Sequence, residues 1–441
     1  MPAEPETADT NPDSDATPAT PTPPVGLARR IRLPGAIGIG LASMIGAGLF
    51  AVWGPATDAA RGGLVIALVI AAVIATLNAF SSAQLAMAHP VAGGAYAFGR
   101  RYVGPWTGFS AGWLFVTGKT ASAAAIASIA AAYLYPPAPV PLAVGLIVVF
   151  AALNMAGVRT TARVSIAIVA TVLTGLAVAL IAAVSGGAAA DLDPVTSIVT
   201  PASPYGVLQG AALLFFAFAG YARMATLGEE VVEPRRTLPR AIFTALGVVL
   251  ALYATVAVLL VSMLGVNRLV GSVTPLADVL DPAWTPLVVA IAGIACLGSL
   301  VGILAGLSRT SLAMARERDL PGLLARISPR TKAPIVAEAI IAALAILIVV
   351  LLEPAQLVAA SSSAVLLYYA VAHLSALRQP AAERWQPRAV AIAGLLGCVV
   401  LVAALPPVSI LGTAVLLAVG LLLRMLAVRL RARSGPEGLA P

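Results

Sequence analysis

Apolar stretches of about 18 or more residues recur along the chain, long enough to cross a bilayer as helices. They centre near Ser43, Ala75, Ser122, Val148, Val172, Phe216, Ala251, Ser299, Ala345, Leu367, Gly397 and Ala418. Clusters of Pro, Gly and charged residues separate them. Such stretches are too many for a signal peptide and too long for the strands of an outer-membrane barrel. The pattern therefore predicts an all-α polytopic membrane protein of about twelve transmembrane helices. Residues 1–27, rich in Pro, Thr, Ala and acids, read as a disordered tail with almost no large apolar side chain to bury.

Composition agrees with this pattern. Of 441 residues, 60% are hydrophobic and 10% charged, against roughly 25% charged in soluble domains. A net charge of +8 would suggest nucleic acid in a soluble protein, but here it follows from loop bias. With both termini inside, 23 of the 27 Lys and Arg residues fall on inside segments, from Arg29, Arg30 and Arg32 to Arg424, Arg429, Arg431 and Arg433. Only Arg61 and Arg268 lie outside, while Lys119 and Arg223 lie within spans. Basic residues in short loops set topology, so the expectation is a multi-pass inner-membrane protein with cytoplasmic termini and no nucleic-acid partner. Two cysteines, Cys296 and Cys398, sit in apolar runs, and His89 and His373 lie at span ends. No metal site, cofactor site or acid–base pair can be assembled from them. A membrane-embedded enzyme would need such a constellation facing a cavity, and the sequence contains none.

Two spans carry unusual glycines. The first, GAIGIGLASMIGAGLFAVWGP, contains Gly38, Gly40, Gly46, Gly48 and Gly54, a costly density for a helix interior. A break is expected near Gly46, although small residues also allow helices to pack closely. Five spans later, FFAFAGYARMATLGEEVVEPRRTLPRAI places Gly220 in mid-span. Interrupted helices at matching places in two five-span halves point to an inverted repeat with a substrate site between the breaks. Amides at a half-helix start attract a carboxylate and carbonyls at a half-helix end accept an ammonium group, so a zwitterionic amino acid satisfies both.

Together with ACLGSLVGILAGLSRTSLAMARERDLP in the eighth span, these segments resemble the amino acid, polyamine and organocation permease superfamily. The likeness runs from about Leu33 to Pro334 and is weak in the last four spans. It implies a LeuT-type five-plus-five inverted repeat with two extra C-terminal helices. Residues 28–187 and 188–379 would form the repeats, 380–430 the two extra helices and 431–441 a cytoplasmic tail. The resemblance puts the substrate carboxylate at Ala47 and Gly48, beside Ile45 and Gly46, and the amine at carbonyls near Met44, Phe216 and Ala219. Gly220 and Ile303 would line the same site, and Phe216 matches the family's aromatic gate. Glu229 and Glu230 would help to close the inner gate. Arg223, near the inner edge, could snorkel or pair with either of them, serving structure or gating.

Departures from the family matter as well. Many proton-coupled members carry a fifth-span lysine, but the matching place here falls near Val172. An acid often follows the sixth-span break, but this chain has Ala222 and Arg223. Mid-membrane positions thus offer two basic residues and no carboxylate, which favours a neutral or acidic substrate. Lys119 in the third span lies too deep for its side chain to reach either interface easily, so it reads as a functional charge, the expected proton-coupling residue. Its expected partners are carbonyls freed at the first-span break and the Ser299 hydroxyl. Asn78, Gln84 and Ser361 to Ser363 read as interhelical hydrogen bonders. The reading that follows is a secondary permease for an amino acid or a related amine-containing solute, coupled to protons through Lys119. An exchanger without ion coupling and a non-transporting sensor stay open.

Overall fold

The computed structural model describes residues 29–91, 93–157, 161–187, 202–331 and 333–433. The expected N-terminal tail, the boundary near residue 188 and residues 434–441 of the C-terminal tail lie outside them. The described residues are almost wholly helical, and their one β-feature is an isolated parallel bridge between Ile31 and Val231.

In chain order the main helices are α1 (Leu33–Met44), α2 (Ala47–Ala51), α3 (Trp53–Ala60), α4 (Leu64–Ala88), α5 (Ala95–Tyr102), α6 (Pro105–Leu134), α7 (Pro139–Met155) and α8 (Ala162–Ala182). Then come α9 (Pro204–Phe218), α10 (Ala222–Ala225), α11 (Pro234–Leu269), α12 (Thr285–Arg316), α13 (Ile335–Leu351), α14 (Pro354–Arg378), α15 (Arg388–Ala404) and α16 (Pro407–Arg433). Among the described residues, nine helical segments are long and apolar enough to cross a membrane. Three shorter apolar helices, α7, α13 and α15, have 17 residues each, at the lower limit for a span. Each of the twelve apolar centres read from the sequence falls on one of these helices or, at Ser43, on the first broken pair.

Local chemistry explains the boundaries. Proline opens α6, α7, α9, α11 and α14 within the first turn, where its missing N–H costs nothing. A capping box of Glu353 and Gln356 adds reciprocal bonds at the start of α14. Inside α6, Thr117, Thr120 and Ser122 donate to carbonyls one turn back, at Trp113, Val116 and Gly118. Polar residues are thereby satisfied without leaving the helix, as a low-dielectric surrounding demands.

Helix α6 is the most buried span and packs along α12 and α14. Its Ala123, Ala124, Ala125, Ala127, Ala130 and Ala131 are fully enclosed, small enough to let neighbouring backbones approach. Helix α9 lies along α3 and α4, α11 along α1 and α4, and α1 along α8. The two halves of the first broken span, α1 and α2, reach α12 and α6, so the break sits in the middle of the protein.

Candidate binding site between two broken helices

Both glycine-bearing spans are interrupted. α1 ends at Met44, Ile45 and Gly46 leave helical geometry, and α2 begins at Ala47. α9 ends at Phe218 and continues as a 3-10 turn over Ala219–Tyr221 before α10. The amides of Ala47 and Gly48, at the first positions of α2, have no acceptor within their own helix.

The breaks meet at a small cavity of about 40 Å³. Met44, Gly46, Ala47, Gly48, Phe216, Gly220 and Ile303 line it, with Lys119 and Ser299. Ile45 and Ala219, also expected at the site, are buried beside it. The space is of a size that holds a few water molecules.

The glycines are where the broken spans approach their neighbours closely. A Cβ on Gly46 would collide with the Ser299 hydroxyl, one on Gly48 with the Ala217 backbone, and one on Gly220 with the backbone of Ser43 and Met44. Close packing and helix interruption, alternatives in the sequence, coexist here.

Lys119 is buried, and its Nζ donates to the Ala219 carbonyl at 3.1 Å. This corrects the partners expected for it. The first-break carbonyl of Met44 is already taken by the Tyr253 hydroxyl at 2.7 Å and the Gly46 amide at 3.0 Å. The Ser299 hydroxyl donates to the Ala42 carbonyl at 3.0 Å instead. The 3-10 turn leaves the Ala219 carbonyl available to α6, and Tyr369 also reaches it, at 3.5 Å.

Tyr253 was not singled out in the sequence. Its hydroxyl bridges the two breaks by donating to Met44 and lying 3.0 Å from the Ala217 carbonyl. The available signal was a lone aromatic in the aliphatic run ALGVVLALYATVAVLLVSMLG. Of the expected interhelical bonders, Gln84 pairs with Gln379 at 2.9 Å, Ser361 with Ser122 at 2.5 Å and Asn78 with the buried His373 at 2.5 Å, whereas the buried hydroxyls of Ser362 and Ser363 have no partner among the described residues.

A vestibule of about 990 Å³ approaches this cavity from the side of Arg100, Arg101, Arg309 and Arg316. Its lining includes Phe115 and Gly306, one turn from the cavity residues Lys119 and Ile303 on α6 and α12. On the opposite side the Tyr133 hydroxyl donates to the Phe50 carbonyl at 2.7 Å, and Phe50, Trp53, Tyr133 and Tyr253 pack edge to face without exposure.

Arg223, Glu229 and Glu230 all line the vestibule. One ion pair at this mouth joins Arg309 and Glu230 at 3.9 Å, while the Arg223 guanidinium packs against Gly306. The amides of Arg30 and Ile31 both donate to the Glu230 carbonyl at 2.9 Å, tying the start of α1 to the loop after α10. The sequence count also passed over a buried carboxyl, Glu338 in the first turn of α13, which lines the vestibule.

Comparison with known proteins agrees with this architecture. The model of the amino acid permease family matches residues 35–431. The chain is 45% identical over 402 residues to an uncharacterized transporter of Mycobacterium tuberculosis (strain ATCC 25618 / H37Rv), covering 90% of this chain and 91% of the relative. It is 28% identical over 344 residues to the branched-chain amino acid permease BcaP of Bacillus subtilis (strain 168), covering 70% and 72%. Identity is also 28% over 349 residues to cationic amino acid transporter 7, chloroplastic, of Arabidopsis thaliana, covering 71% and 59%. These relatives are transporters and not enzymes. The chain is a multi-pass membrane transporter that belongs to the amino acid permease family.

Proposed function

We propose that this transporter is a secondary permease for a neutral or acidic α-amino acid, or a close relative, working by alternating access about the two breaks. Twelve spans arranged as two five-helix repeats and two further helices would frame the site, with both termini in the cytoplasm. The observation that carries the reading is the meeting of two broken helices at one small polar cavity, with a buried ammonium group on its wall. The α2 amides of Ala47 and Gly48 suit a substrate carboxylate, and the carbonyls of the 3-10 turn suit its amine.

Lys119 then has a defined part. Its Nζ holds the Ala219 carbonyl, the kind of acceptor that a substrate amine needs. Substrate and lysine compete for it, and a lysine that gives up its proton holds the acceptor more weakly, without the charge that strengthens the bond. A proton shifts the balance of two conformations only by binding them unequally, and the ammonium contact to the sixth-span break provides that inequality.

The test is uptake by purified protein in proteoliposomes with and without an inward proton gradient. Wild type is expected to concentrate a neutral amino acid in response to the gradient. Lys119→Ala is expected to lose that accumulation while still exchanging substrate across the membrane. Gradient-driven accumulation by Lys119→Ala would remove the coupling role. A second reading, exchange without ion coupling, draws on the apolar Val172 where many proton-coupled relatives carry lysine. Counterflow with equal rates at all imposed gradients would favour it.

A further inference from the structure

One carboxyl in the vestibule wall takes no part in the breaks or in the ion pair at the mouth. Glu338 is 2% exposed. Asn154, at the end of α7 and 7% exposed, donates its Nδ2 to Glu338 Oε1 at 3.1 Å. The other end of the same amide, Asn154 Oδ1, is buried and has no donor among the described residues. An unsatisfied buried acceptor is costly, because it has given up its water partners without replacement.

A carboxylate cannot repair this, because it only accepts. A protonated carboxyl can. Its Oε2–H would donate to Asn154 Oδ1 while Oε1 keeps the bond from Nδ2, which would close a cyclic acid–amide pair. Ser308 and Arg309 of α12 also face Glu338, the latter with a positive charge. Arg309 is the residue that pairs with Glu230 at the mouth. His89, another vestibule group, is held below the ordinary histidine value by burial and by the charge of Arg101, so it stays neutral and does not compete for protons near neutrality.

We propose that Glu338 and Asn154 form a proton-binding site of the vestibule: protonated, Glu338 is locked to Asn154 and leaves Arg309 to Glu230; ionised, it draws Arg309 away and weakens the mouth. The proton comes from, and returns to, water in the vestibule. The consequence for transport rests on the permease mechanism proposed above, whereas the binding of the proton does not.

The experiment is infrared difference spectroscopy of the full chain in detergent micelles, titrated from about pH 8 to about pH 4, a range over which carboxyl groups change protonation. Wild type is expected to show a protonated-carboxyl C=O band that is lost in Glu338→Gln. In Asn154→Leu the band should move to higher frequency, because its hydrogen-bond partners are gone. Persistence of the full band in Glu338→Gln, or an unmoved band in Asn154→Leu, would overturn the proposal. Should Glu338→Gln not fold, the Asn154→Leu band decides alone. Uptake into proteoliposomes separates the two readings. A wild type that transports but lacks the band sinks this site and leaves the permease standing, and a wild type that shows the band without any transport does the reverse.

Discussion

Tyr253 is the residue on which the two breaks converge, since one hydroxyl serves carbonyls from both broken spans. A buried carbonyl that loses its donor costs about 1–3 kcal/mol, and Tyr253→Phe removes the donor while keeping the ring that packs on Trp53 and Phe218. The expected outcome is a lower melting temperature in detergent and a fall in uptake, measured side by side with wild type. Gly220 makes a sharper case. Leucine there meets the Ser43 carbonyl before it meets any open space, so Gly220→Leu should abolish uptake while membrane insertion continues. Normal transport by that variant would place the site elsewhere. The importance of Gly46 and Gly220 was legible in the sequence because a glycine inside an apolar helix has to be explained by geometry. The partner of Lys119 was not legible. A lysine at mid-helix announces a need for acceptors, but which carbonyl is left over depends on how a tyrosine on another helix has already used the alternatives.

At the scale of elements, the helices were readable and the ties between them were not. Apolar runs and opening prolines locate each span, because length and capping are local properties. The buried Asp319 after α12 shows what is not local. It accepts from Tyr96 at 2.9 Å and pairs with Arg100 at 2.7 Å and Arg424 at 2.8 Å. Three separate pieces, α5, the α12 end and α16, are thus pinned at one carboxylate, with Arg100 lying 219 positions away in sequence. Arg424 had been counted as one more inside-loop charge, yet it is enclosed and lies over the rings of Trp106 and Phe109. Burial and the Asp319 charge hold the Tyr96 phenol well above its ordinary value, so it remains a donor at all working pH. Removing one partner of a buried ion pair costs about 3–5 kcal/mol, whereas an exposed pair contributes about 0–1 kcal/mol. Asp319→Ala is therefore expected to lower the thermal inactivation midpoint strongly, and Glu317→Ala, which removes the more exposed contact to Arg100, only slightly. Equal effects of the two substitutions would show that burial does not govern this cluster.

The whole molecule is asymmetric, with a wide vestibule on the arginine-rich side and aromatic closure on the other. On the permease mechanism proposed above, no sequence would reveal this, because the two forms share one sequence and differ only in how rigid parts rest on each other. What the sequence does carry is the sign of charge at the centre, and that bears on substrate choice. Relatives are divided, with one described as a branched-chain amino acid permease and another as a cationic amino acid transporter. The cavity wall holds the Lys119 ammonium and the hydroxyls of Ser43, Ser122 and Ser299, with no carboxylate in its lining. A second positive charge brought here has no counter-ion, and an unpaired charge in a low-dielectric interior is among the costliest groups to bury. A side chain that is apolar or acidic meets no such penalty, and an acidic one gains from the lysine. The measurement is a thermal-shift screen of the purified protein against the common amino acids and polyamines. A ligand present at about 100 times its Kd stabilises by roughly 2.7 kcal/mol, so neutral or acidic amino acids should raise the melting temperature while arginine, lysine and polyamines leave it unchanged. The largest shift coming from a cationic solute would show that a carboxylate reaches the site in some other conformation, and would move the charge preference of the permease to the opposite sign.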